Sequence, residues 1–241
     1  MTVHFLRVAG LTFALGILLG KLVASPVAEV PATPDETMTK TYTVADFKRI
    51  YLEGSFKVIL QQGTQSGLKI TTDEDNFEYI DVDSNPGSLN LKITKKHFDF
   101  DKIVLHITFK DLEKLVIEGG MKLETVGYVN LNDFYMHVEG GASVKMNLKA
   151  NNLTVIGEGG TTFELDGVAN SLNASVSGAG NLDAEDLKVR EAKVKIEGFG
   201  AASVFPTEYL DAIISGVGKI KYHGSPQIRK EISGIGIVSG D

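Results

Sequence analysis

Apolar and polar residues alternate along much of the chain, and glycine interrupts the alternation at near-regular intervals. Seven short strings recur: LVIEGG, MHVEGG, VIGEGG, ASVSGAG, VKIEGFG, AIISGVG and KEISGIG. Their reference glycines are Gly119, Gly140, Gly159, Gly178, Gly198, Gly216 and Gly234, spaced by 21, 19, 19, 20, 18 and 18 residues. Aligning the chain on these glycines produces columns. Two positions before the glycine stand Ile117, Val138, Gly157, Val176, Ile196, Ile214 and Ile232. Four before stand Leu115, Met136, Val155, Ala174, Val194, Ala212 and Lys230. Four after stand Leu123, Val144, Phe163, Leu182, Ala202, Ile220 and Val238. A period of two is the signature of a strand with one buried face, and the glycine supplies a bend that a residue with a Cβ resists. A second apolar stretch, such as SVKMNL or KIKYHG, follows each bend.

A strand, a bend and another strand within about 19 residues cannot bury their own apolar face. Stacking successive coils at about 4.8 Å turns the inward columns into one continuous core. The pattern therefore predicts an all-β, single-stranded parallel β-helix of about 19-residue coils, some 45–50 Å long if ten coils stack. A propeller needs about 40 residues per blade and a leucine-rich repeat needs its LxxLxLxxN signature; neither fits. The calcium-binding nonapeptide repeat needs GGxGxD every nine residues, whereas one glycine cluster occurs per coil here.

The same frame reappears at Gly54, with Ile50 and Leu52 before it and Val58 after it. Between Leu60 and Lys114 the glycine marker is lost, although alternating runs persist (LKITT, YIDVD, LNLKI, IVLHITF). These fit longer, less regular coils or a hairpin-like excursion. The β-helix domain is thus expected over residues 41–241, irregular over 41–114 and regular over 115–238.

The N-terminus departs from this pattern. Arg7 precedes an apolar run from Val8 to Leu19, and small residues follow at Ala24-Ser25, the order of a secretory signal peptide over residues 1–24. The run is shorter than the ~20 residues that span a bilayer, so no stable membrane span is expected once the signal is cleaved; the alternative is an uncleaved membrane anchor. Residues 25–40 hold three prolines, no aromatic residue and no period, and read as a disordered linker. The expected location is outside the cytoplasm: periplasm, outer envelope or cell surface.

Composition narrows the functional classes. Hydrophobic residues at 43% and charged residues at 23% of the 241 suit a globular chain rather than a disordered one. A net charge of −7 argues against nucleic acid or an anionic membrane surface as partner. Cysteine is absent, which excludes disulfides, thiolate metal sites and a bacterial lipoprotein anchor; core packing must hold the fold together.

The repeated S-G-x-G coils, the opening FKRIYLEGSFKVILQQG and the closing KIKYHGSPQIRKEISGIG resemble the bacterial GIN-domain family, described as the head domain of an auto-transporter adhesin. The resemblance covers about Tyr42 to Val238. It implies a right-handed parallel β-helix, an envelope or surface location and an adhesive role. Two departures stand out. Four of the seven regular coils carry Glu where the family usually shows Ser before the glycine. No barrel of alternating ten-residue strands follows Val238, so self-translocation is not expected.

Catalytic chemistry is hard to find. The arginines of the domain, Arg49, Arg190 and Arg229, lie in different coils, and no coil gathers two Asp with a basic residue as a polysaccharide lyase or hydrolase would need. His97, His106, His137 and His223 show no metal-binding spacing, and His106 and His137 alternate with apolar neighbours as outward strand residues do. The serine of S-G-x-G repeats without a partner base. No enzyme, cofactor or catalytic residue is expected.

Two features suggest binding. The column just before the glycine reads Glu118, Glu139, Glu158, Ser177, Glu197, Ser215 and Ser233, with Glu53 equivalent. Stacking would align Glu118, Glu139 and Glu158 at about 5 Å intervals, either as a ladder bridged by a divalent cation or as a solvated row paired with lysines. The other is Lys95 to Lys102, where Phe98 and Phe100 alternate with charges, either as an exposed binding loop or packed beneath it. The expected function is a non-catalytic, adhesin-like module that presents a long β-face to a polymer such as a glycan, or to a protein. The alternatives are a carbohydrate-active enzyme and a purely structural envelope component.

Overall fold

The computed structural model describes residues 37–94 and 102–241; the expected signal segment and the Phe98 and Phe100 loop lie outside them. The described residues are almost entirely β, with a 3₁₀ segment at Glu74–Tyr79. Among the described residues nine strands form one open sheet: β1 (Thr37–Tyr42), β2 (Phe47–Gln62), β3 (Gly67–Asp73), β4 (Ile80–Asn85), β5 (Gly87–Ile93), β6 (Val104–Phe109), β7 (Lys114–Asn130), β8 (Asp133–Tyr222) and β9 (Gln227–Gly240). The main path runs β1-β3-β6-β2-β7-β8-β9, and β5 pairs with β2 on the same side as β6.

The glycine frame sets the register. β2, β7, β8 and β9 run parallel, with Gly54 opposite Gly119, Gly119 opposite Gly140 and Gly216 opposite Gly234. Within the 90-residue β8, side chains 19 positions apart touch: Asn152 donates to Asp133 at 2.6 Å and Ser171 to Asn152 at 2.8 Å. The glycine is needed at the bend. Gly140 has φ of +120°, and a Cβ there would lie 2.4 Å from the carbonyl oxygen of Gly119. Both facts exclude a side chain.

The inward columns form the core. Ile50, Leu115, Met136, Val155, Ala174, Val194 and Ala212 are buried, as are Val58, Leu123, Val144, Phe163, Leu182, Ala202 and Ile220. On β9, nothing described lies beyond the strand, and Ile232 in an inward column is 41% exposed. The irregular part is a set of shorter strands. β4 and β5 form an antiparallel hairpin that lays β5 beside the first half of β2, while β6 pairs with its second half. β3 pairs antiparallel with both β6 and β1. Gln62 ties this region to β7: its side-chain amide donates to the Lys110 and Asn130 carbonyls, and its oxygen accepts the Asn130 N–H at 2.8 Å.

One boundary differs from expectation. Strand β1 begins at Thr37, so the last four residues of the segment expected as linker, 37–40, are extended and paired with β3. The physical reason is local: TMTKTY is rich in β-branched threonine, and the Thr39 and Thr71 hydroxyls lie 2.7 Å apart across the pair.

Candidate functional site: an apolar groove with a glycine floor

The columns after the bend change character along the sheet. Two positions after each reference glycine the chain carries Phe56, Met121, Ala142 and Thr161, all buried, and then Gly180, Gly200, Gly218 and Gly236. One position after it the order is reversed: Ser55, Gly120, Gly141 and Gly160 give way to Ala179, Phe199, Val217 and Ile235. Where the inside of the bend loses its side chain, the outside gains an apolar one.

The inner glycines leave room for the core. A Cβ on Gly218 would lie 3.0 Å from Ile196 Cγ2, and one on Gly236 would lie 2.8 Å from Ile214 Cδ1. Ile196 and Ile214 thus occupy space left by the glycines two positions after the bend in the next pass. Alternation points the flanking positions outward. A groove of about 670 Å³ results, with the glycine backbone as floor. Ala179, Phe199, Val217 and Ile235 line one wall, and Asn181, Ala201, Lys219 and Ile237 the other. Phe199 is 70% exposed, Ile235 74%, Ile237 63% and Val217 43%. Scattered exposed apolar residues are ordinary, but a contiguous row marks a binding surface. Lys219 is the one charged residue in the lining, and its charge acts on the Asp241 carboxylate.

Thr161 lies at the polar end of this groove. It is 1% exposed, and its hydroxyl has no hydrogen-bond partner among the described residues. The neighbouring Thr162 and Asn181 are exposed and give this end its polar character.

The glutamate column lies elsewhere on the surface. Glu53 faces Glu118, and Glu118 faces Glu139 in register. Lysine and histidine side chains reach this row at intervals: Lys92 lies 2.6 Å from Glu53, His137 lies 3.2 Å from Glu158, and Lys195 lies 2.7 Å from Glu197. Among the described residues no three His, Asp or Glu side chains converge to hold a metal ion. Beside Glu53 and Glu118 is a smaller cleft lined by Tyr51, Asp83, Asn90 and Lys92 together with Leu52 and Leu91. His106 is exposed and His137 half-buried, both alternating with buried neighbours.

Elsewhere, charge shapes two carboxylates in opposite directions. The hydrogen bond from Lys221, with the charge of His223 nearby, holds Asp241 below the usual carboxylate range. Partial burial and the neighbouring Glu164 push Asp166 above it.

Sequence columns exposed the reference glycines and the core, but the groove was missed. Its signal was present in the x of G-x-G, which reads Ala179, Phe199, Val217, Ile235 in the last four repeats. That column faces solvent, and its apolar character is what a core argument leaves unexplained.

The described residues thus form an all-β open sheet that displays an exposed apolar groove. Residues 46–226 match the family described as "Putative auto-transporter adhesin, head GIN domain", and the chain belongs to that family. Solved structures agree. A "putative adhesin" from Bacteroides fragilis NCTC 9343 is 24% identical, with a TM-score of 0.78 over 86% of this chain and 98% of its own. Another from Parabacteroides merdae ATCC 43184 is also 24% identical, with a TM-score of 0.67 over 86% and 96%. A "putative lipid binding protein" from Parabacteroides distasonis ATCC 8503 is 25% identical, with a TM-score of 0.57 over 85% and 96%. No curated protein matches the chain. No helix among the described residues is long and apolar enough to cross a membrane.

Proposed function

We propose that this chain is an exported, non-catalytic, adhesin-like binding module, and that the glycine-floored groove is where it holds its ligand. The scaffold is a right-handed parallel β-helix whose coils of about 19 residues repeat the bend and so extend one groove across several coils. Parallel register and contacts at an offset of 19 support the winding. Residues 1–24 act as the export signal, and the module works in the periplasm, the outer envelope or at the cell surface.

The observation that carries the binding role is the exposed apolar row Phe199, Val217 and Ile235 above a floor without side chains. Leaving such a row in water forgoes about 25 cal/mol for each Å² of apolar surface, so a ligand that covers it gains that much. A relative described as lipid binding is consistent with an apolar ligand.

Beads coated with the purified protein test the role. Wild-type beads should attach to cells or envelope fragments, and Phe199→Asp with Ile235→Asp should lose attachment while keeping the β-sheet circular dichroism. Equal attachment by both proteins would remove the groove from the binding role. Cell fractionation tests export: a purely cytoplasmic protein would overturn that part.

A further inference from the structure

We infer that the groove takes a single extended aliphatic chain ending in a carboxylate, with Lys219 holding the head group; this rests on the binding role proposed above. Direction gives the first argument. The groove crosses the strands, gaining one wall residue for each pass of the sheet, and four passes at a spacing of about 4.8 Å give a length of roughly 14 Å. From Lys219 in the third pass to Ala179 in the first the reach is roughly 10 Å, which matches an extended chain of about eight to ten carbons lying across strands that are already paired. A peptide in the same place would lose water from its backbone amides against Phe199, Val217, Ile235 and Ile237, which offer no hydrogen bonds. A polymethylene chain has no polar group to leave unsatisfied.

Charge gives the second argument. The protein carries a net charge of −7, yet the charged residue of the groove is a lysine, whose charge acts on Asp241 without a close ion pair to it. Its flexible stem places an ammonium on the rim of an apolar channel, the arrangement that suits a carboxylate whose tail lies in the groove. The ligand class is therefore a free medium-chain fatty acid.

Calorimetric titration of the full chain with sodium octanoate, decanoate, dodecanoate and tetradecanoate, and with dodecanol, tests this. Affinity should rise about three- to fourfold per added methylene and level off near decanoate, since Ala179 lies two passes, roughly 10 Å, from Lys219. Lys219→Met should weaken dodecanoate about fivefold, as an exposed ion pair is worth, and leave dodecanol unchanged. Val217→Asp should abolish binding of both. Affinity independent of chain length, or binding that survives Val217→Asp, would overturn the inference. Unchanged dodecanoate affinity in Lys219→Met would overturn the carboxylate assignment. If dodecanoate fails to bind while Phe199→Asp with Ile235→Asp still abolishes bead attachment, the groove remains a binding site and the fatty-acid inference alone falls.

Discussion

Gly157 and Phe163 fill one space between them: a Cβ on Gly157 would lie 2.6 Å from Cε2 of the Phe163 ring. Gly157 occupies the column that elsewhere holds Ile117, Val138, Val176, Ile196 and Ile214. Phe163 occupies the one that elsewhere holds Leu123, Val144, Leu182, Ala202 and Ile220. The missing side chain on one strand is supplied by a larger one after the bend, which keeps the core close-packed.

That exchange predicts coupling. Phe163→Ala alone should cost about 3–5 kcal/mol by leaving a cavity, and Gly157→Val alone about 1–3 kcal/mol by overpacking. The double variant should lose less than the two costs combined, since each change relieves the other. Urea denaturation of the four proteins measures this; strict additivity would show that the two residues do not share the space.

The bend glycine has no such freedom. Gly140→Ala should destabilise the protein by about 2–3 kcal/mol, because a Cβ meets both an unfavourable φ and the carbonyl of Gly119. Gly141, beside it, has open space where a Cβ would go, so Gly141→Ala provides a mild control. Equal melting temperatures for the two variants would contradict the close stacking at the bend.

Thr161 is buried with an unpartnered hydroxyl. Thr161→Val keeps the shape and removes the desolvated polar group, so stability should rise by about 1 kcal/mol. A drop in the urea midpoint would mean that the hydroxyl has a partner worth more than its desolvation.

Asp166 makes stability depend on pH. Its folded-state pKa is raised by burial and by Glu164, so ionising it costs the folded protein more than the unfolded chain. The cost is present above the folded-state pKa and disappears as pH falls to the unfolded value. Asp166→Asn should therefore melt higher than wild type at pH 7, with the gain shrinking as the solution is acidified through the carboxylate range. A gain that stayed constant between pH 7 and pH 3 would point to a cause other than charge.

The sequence was most legible where one residue type recurred at one spacing. Gly54, Gly119 and Gly140 set the parallel register because an untenable Cβ leaves little choice of residue, and the inward columns beside them are apolar because stacking buries them. Between Leu60 and Lys114 the strands alternate as expected, but alternation does not encode which neighbour a strand pairs with. The antiparallel placement of β3 between β1 and β6 was therefore hidden. The groove was obscured for another reason: Phe199 and Ile235 look like core residues until the frame assigns them to the outer face.

The pairing of β2 with β7 has a kinetic consequence. Ile50 meets Leu115 across 65 positions, whereas β7 meets β8 across 21, Leu115 to Met136, and β8 meets β9 across 18, Ala212 to Lys230. Closing the longer loop costs roughly 1 kcal/mol more in chain entropy, and the intervening strands must also find their antiparallel partners. Nucleation is thus favoured in the short-range passes, from which order spreads outward, and β2 docks late onto a template that has already formed. Pulse-labelled hydrogen exchange during refolding should protect Val155, Val176 and Val194 before Leu52 and Val58, and the reverse order would place the nucleus at the other end.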